Sequence, residues 1–254
     1  MRNIIKSEFF RARKSGITMG ISIYYAVTTF FWIIIYTVAK FDKDIGEVLA
    51  EQGFPTFTTF PMCTLYFLLL AFFVGGLLAG DYSTGAIKQI ASRGVERKRI
   101  ILGQYFVVSI WITGITFVAA LLRALVATAF WGIGEGLTPL NLLLMNLGWF
   151  AVIWSYSAFA VLVAHFVRSS MLSLVIHICF FIGGNIVVMI VSILVNNDRI
   201  ADFIYDFWPT HLLDHALDFG QTPAAQLGYI ALLLVLGGVC LALCMWLFEK
   251  RDVA

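Results

Sequence analysis

The chain has 254 residues, of which 61% are hydrophobic and only 13% charged, with a mean hydropathy of +0.91. A soluble domain carries roughly 25% charged residues, so there is too little polar surface here to cover a globule in water. Composition therefore excludes a soluble enzyme, a nucleic-acid-binding domain and a disordered chain, and the net charge of +2 points to no particular partner. An all-α integral membrane protein is expected.

The chain opens on MRNIIKSEFFRARK, residues 1–14, in which Met1, Ile5, Phe9 and Ala12 fall on one helical stripe and Arg2, Lys6 and Arg13 lie away from it. This predicts an interfacial helix on the inner leaflet. About 20 apolar residues cross a bilayer at 1.5 Å per residue. Six spans follow on that basis: Gly16–Ala39, Phe57–Gly80, Ile100–Trp131, Leu140–Val167, Met171–Val195 and Ala225–Phe248. The first is too long for the core of a cleaved signal peptide and reads as a retained anchor.

Basic residues orient the spans. The tail, the loop 81–99, the turn at Arg168 and the C-terminal segment hold thirteen of them, and the opposite loops hold Lys40, Lys43 and Arg199. The chain is thus expected in the plasma membrane of a bacterial cell, multi-pass, with both termini in the cytoplasm. Gly76 and Gly80 form a GxxxG that permits close helix contact.

The loop after the second span reads DYSTGAIKQIASRGVERKR. Asp81, Ser83 or Thr84 is placed to cap a short helix over Gly85–Ser92, which Gly94 ends before Arg97–Arg99 lead into the third span. Ala86, Ile87, Ile90 and Ala91 have no core of their own in so short a loop, and need lipid or a partner protein.

Arg123 lies 23 residues beyond Ile100, about 34 Å along the helix. That depth places it near the outer interface, where it snorkels, with a role as a path charge as the alternative. His165 and His177 read as interhelical hydrogen-bonding residues. The four cysteines, Cys63, Cys179, Cys240 and Cys244, lie in apolar runs with no metal-site spacing. The segment 196–223 holds two short amphipathic pieces split by Pro209, each too short to span. Its residues Phe203, Phe207, Trp208, Leu212 and Leu213 are expected to dip into the outer leaflet, while His211, Asp214, His215 and Asp218 make a solvated face that fails the HExxH pattern.

Asp81, Gly85, Lys88, Ser92, Gly94, Arg97 and Ile100, with Gly103 beyond, resemble the cytoplasmic loop of ABC type-2 transporter permeases, those of lantibiotic-immunity and bacteriocin or toxic-peptide exporters above all. Gly85-Ala86 stands where that loop often has Gly-Thr, and Gly94 where it often has Pro. The resemblance extends along the whole chain, from the basic start through six spans and the long final outer loop to the closing FEKRD. It implies that the loop is a coupling helix docking on a separate ATPase subunit, through Asp81, Gly85, Ile87, Lys88, Ile90, Ser92, Gly94 and Arg97. It also implies two ATPase copies that hold ATP and Mg, and a second permease copy, the same chain or a paralogue. The outer segment becomes a pair of re-entrant helices that gate the path, and an amphipathic peptide becomes the cargo. The chain contains no Gly-Lys dipeptide, hence no phosphate loop of its own, and is expected to bind no cofactor or metal and to be no enzyme by itself. The competing expectation is a secondary transporter or channel that needs no ATPase.

Overall fold

Long apolar runs leave backbone N–H and C=O groups without water, and a helix pairs those groups within the segment itself. The computed structural model of the chain describes residues 2–42, 64–87, 94–131, 139–195, 200, 208–216 and 222–250, and every regular element among them is a helix. α1 covers Arg2–Lys14 and α2 Gly16–Phe41, separated by Ser15, whose hydroxyl accepts from the Ile17 N–H at 3.3 Å and caps α2. α3, Thr64–Val74, widens into a π-helical turn over Gly75–Ala79 and closes on α4, Gly80–Ser83. α5 is Arg97–Trp131, α6 Pro139–Val167, α7 Ser170–Val195, α8 Pro209–His215 and α9 Pro223–Lys250. Gly16–Phe41, Arg97–Phe130, Leu143–Val167 and Pro223–Lys250 are each long and apolar enough to cross a membrane.

α6 sits at the centre. Val152, Ser157, Ala158, Ala160, Val161 and Ala164 are fully buried on it, so it is enclosed nearly all round, by α3 and its π turn, α5, α7 and α9. The small residues let neighbours come close. Ser155 on α6 donates to the Leu233 carbonyl of α9 at 2.7 Å, and Gly237 one turn along leaves no room for a side chain: a Cβ there would stand 2.8 Å from the Ser155 Cα. α5 joins α6 through Tyr105, which donates to the Trp154 carbonyl at 3.2 Å, and through Trp154, whose indole N–H donates to the Thr113 hydroxyl at 3.2 Å.

α2 packs along α5 and is otherwise peripheral. Ile23, Val27, Phe30, Phe31, Ile34 and Val38 are all exposed on it, the surface of a helix turned toward lipid rather than water. At its far end Lys40 donates to the Phe130 carbonyl of α5 at 2.7 Å, a cation on the free carbonyls of a helix terminus.

The structure revises two expectations about the inner half. The stripe on α1 covers protein, not only headgroups: Ala12 is fully buried, Ile5 and Phe9 pack on the core, and the Phe9 ring meets Trp111 of α5 edge-on at 5.5 Å. The close glycine contact uses Gly75 and Gly76 rather than Gly76 and Gly80. Gly75 faces Ser173 of α7 and Gly76 faces Ile17 of α2, while a Cβ at Gly80 would meet nothing within 4 Å. The π turn inserts one residue per turn, which rotates the glycines away from the register of a regular helix.

Candidate functional site

The start of the loop 81–99 is held by four side chains from three helices. Asp81, on α4, pairs through one oxygen with Arg11 of α1, and its other oxygen accepts from the Gln104 amide of α5 at 3.1 Å. Arg11 pairs also with Glu8, one turn back on α1. Glu8, Asp81 and Gln104 are 4%, 5% and 1% exposed, so two carboxylates share one guanidinium almost out of water. Burial pushes the Glu8 carboxyl up from 4.5 to about 7, against the attraction of Arg11 and with help from the Asp81 charge. Burial raises Asp81 as well, opposed by Arg11.

One residue on, the Tyr82 hydroxyl is hydrogen-bonded to His165 Nδ1 of α6 at 2.6 Å. The Arg168 guanidinium lies over the Tyr82 ring, 5.1 Å from its centre. Arg168 turns the chain from α6 to α7 with φ +56, a left-handed conformation that costs a β-carbon residue energy. The His165 ring in turn meets Phe248 of α9 at 5.3 Å.

The loop's far end is tied to α9. The last carbonyls of a helix have no partner within it. Arg97 supplies one, donating through Nη1 to the Phe248 and Glu249 carbonyls at 3.3 and 3.2 Å, and Lys98 pairs with the Glu249 carboxylate at 3.0 Å. Between these ties lie Gly85 and Gly94, with φ of +71 and +74. Both are left-handed positions that glycine fills without steric cost.

Several sequence expectations change here. Asp81 belongs to α4 and gives its carboxylate to Arg11 and Gln104, and Thr84 donates its hydroxyl back to the Gly80 carbonyl; helical backbone resumes at Ala86 and Ile87, and the remainder of the expected Gly85–Ser92 helix lies outside the described residues. Gly85 ends a turn instead. Ile87 is 1% exposed and belongs to the protein's own core, so it does not wait for lipid or a partner. Gly94 is exposed and Arg97 half-buried, whereas Lys88, Ile90 and Ser92 lie outside the described residues.

On the opposite side, α8 carries Leu212, Leu213 and Ala216 inward, all buried. Trp208 meets Phe180 of α7 at 6.0 Å, the His215 ring stacks on Tyr229 of α9 at 5.0 Å, and Gln226 donates to the Ala216 carbonyl at 3.0 Å. Of the outer-gate residues, Trp208, Leu212 and Leu213 thus come together against α7 and α9, and Phe203 and Phe207 lie outside the described residues. His165 and His177 are engaged separately, the latter through Nδ1 to the Ser173 carbonyl at 2.6 Å. Among the described residues no three His, Cys, Asp or Glu side chains gather closely enough to hold a metal ion.

Arg123 is buried within the protein. Lys40 and Phe130 meet near the C-terminal ends of α2 and α5, and Arg123 lies seven residues before Phe130, about 10 Å along the axis. It is 3% exposed, donates through Nε to the Ala119 carbonyl at 3.2 Å, and stands within electrostatic reach of Tyr24, Tyr25 and Tyr36 of α2.

Sequence reasoning passed over Glu8, Arg11, Gln104, Tyr82 and Arg168. A faint signal exists for two of them: Glu8 is the only acid in a basic tail, and Gln104 an amide inside an apolar run. Residues 50–254 match the model of a family described as "Protein of unknown function (DUF2705)". No curated protein matches the chain.

Proposed function

The chain belongs to the DUF2705 family, and we propose that it is the membrane-spanning permease subunit of an ATP-driven exporter. Its six spans leave both termini in the cytoplasm of the cell membrane. It pairs with a second permease copy, binds two ATPase subunits that carry ATP and Mg, and moves hydrophobic or amphipathic peptides outward. The chain itself supplies no catalytic group.

One observation carries this reading. The loop 81–99 is tied at its start to α1, α5 and α6 through Arg11, Gln104 and His165, and at its far end to α9 through Arg97. A push on the segment between Gly85 and Gly94 therefore reaches four helices at once. A topogenic loop needs no such ties. ATP binding shifts the spans only in so far as the partner binds one arrangement of them more tightly than the other. α8, wedged against α7 and α9, is the gate at the outer end of the path.

Arg123 favours a second reading, an ATP-independent secondary transporter, because a cation held about 10 Å inside the outer end of a span is costly and is kept for function by default. Purification from its own operon in mild detergent decides between the two. The exporter reading expects a stoichiometric ATPase subunit to co-purify and to be lost from Lys88→Glu and Ile90→Asp variants that still insert. Ile87 is unsuited to this test, since its burial makes any charged replacement a folding defect. A chain that elutes alone without ATPase activity makes the secondary transporter the better account.

A further inference from the structure

A cavity of about 230 Å3 lies between α6, α7 and α9, under α8. One wall is aromatic, Tyr156, Phe159 and Phe180, and the other aliphatic, Leu213, Leu233 and Leu236. Ser155 also lines it, but its hydroxyl is already given to the Leu233 carbonyl. A buried water needs two to four polar partners, and an apolar cavity of only about 150 Å3 stays dry and takes up benzene. Water is therefore a poor occupant here. A peptide is a poor one too, because its backbone N–H and C=O groups would find few partners against these walls.

The cavity opens sideways. α7 and α9 flank it without packing extensively on each other, and Phe159, Phe180, Leu236 and Cys240 on its lining are partly exposed. α8 closes it with buried Leu213. Phe180 and Leu236 lie well inside their helices, so the opening faces hydrocarbon if the helices span the bilayer.

We propose that this cavity is a binding site for one hydrocarbon chain of a membrane lipid, entering between α7 and α9 and lying beneath α8. The proposal rests on the membrane-spanning reading and not on ATP-driven export. It is tested on the full chain in nanodiscs of phosphatidylcholine that contain a trace of phospholipid with a diazirine near the end of one acyl chain. After illumination, cross-linked peptides are mapped by mass spectrometry. The lining stretches 155–159 and 233–240 are expected to be labelled several-fold more than the exposed residues Phe31 and Ile35 of α2. Leu236→Phe and Cys240→Phe, which fill the space, are expected to remove that excess and leave α2 labelling unchanged. The wild-type ratio stands on its own should either variant fail to elute as a monodisperse, cooperatively melting protein. Labelling of the lining no stronger than that of α2 overturns the site. So does efficient joining of Cys240 between two copies by a short bismaleimide with the lining unlabelled, which places a second copy over the opening. Recovery of the protein outside the membrane fraction would defeat the spanning reading itself, a result distinct from either.

Discussion

Glu8 and Asp81 compete for Arg11, and that competition makes this end of the protein sensitive to protons. A cluster of two buried acids and one base keeps an excess negative charge out of water, and a proton on Glu8 removes it. The folded Glu8 value of about 7 lies above the ordinary 4.5. The folded state therefore holds the proton more tightly than the unfolded chain. Its contribution is complete below 4.5 and is lost as pH rises through 7, with a ceiling of about 3 kcal/mol. The melting temperature is expected to be higher at pH 5.5 than at pH 8, and Glu8→Gln to flatten that difference. Equal pH dependence in the wild type and in Glu8→Gln would remove Glu8 from the account. Little of this was legible in the sequence, because Glu8 and Asp81 are seventy-three positions apart and no periodicity links a tail to a loop. Arg123 shows another limit, since its burial against α2 could not be read from its place along the helix. Its depth was counted from Ile100 as though the span began at the membrane face. α5 starts at Arg97 and runs 35 residues, about 52 Å, longer than a hydrocarbon core of about 30 Å, so a count of residues from Ile100 does not fix the depth of Arg123.

At the level of helices, the contact between α6 and α9 depends on one missing side chain. Gly237→Ala pushes a methyl group into the Ser155 backbone, which cannot step aside, and is expected to cost about 1–3 kcal/mol by forced overpacking. Gly238, the next residue, has open space where a Cβ would stand. Gly238→Ala is expected to be neutral or to stabilise by up to about 1 kcal/mol through helix propensity. Thermal melts of both variants in one detergent check the pair, and equal losses would mean that α9 crosses α6 elsewhere. The existence of the long helices was plain from the apolar runs. Their contacts were not, and the glycines show why. GxxxG counts residues on a regular helix, whereas the π turn at Gly75–Ala79 changes the count. Nothing in GGLLA announces that turn. The loop shows a related limit: Gly94 was visible as a breaker, but Gly85, read as the first residue of the loop helix, takes a left-handed φ between α4 and the helical backbone that resumes at Ala86.

For the molecule as a whole, the ion pairs among the described residues gather at the end that carries α1, the loop 81–99 and the close of α9, while the middle is held by apolar packing and close helix approach. Their strengths differ. Lys98 and Glu249 are both well exposed, and such a pair contributes about 0–1 kcal/mol. Arg97 serves two helix-end carbonyls, and hydrogen bonds with a charged donor contribute about 1.5–3 kcal/mol. Arg97→Ala is therefore expected to fray the end of α9, seen as faster amide hydrogen exchange near residues 246–250, whereas Lys98→Ala leaves exchange there nearly unchanged. Equal exchange in the two variants would assign the tie to Lys98.

The Arg97 tie also fixes an order of events during synthesis. Arg97 leaves the ribosome about 150 residues before the carbonyls it will hold. Through all that time the two carbonyls that Arg97 will hold are still to be made. The Arg97 tie forms only when the last helix has been made. A nascent or truncated chain that stops short of Phe248 displays the same loop sequence in a different mechanical state. Any protein that reads the loop by its shape has, in that one arginine, a means of telling a finished chain from an unfinished one.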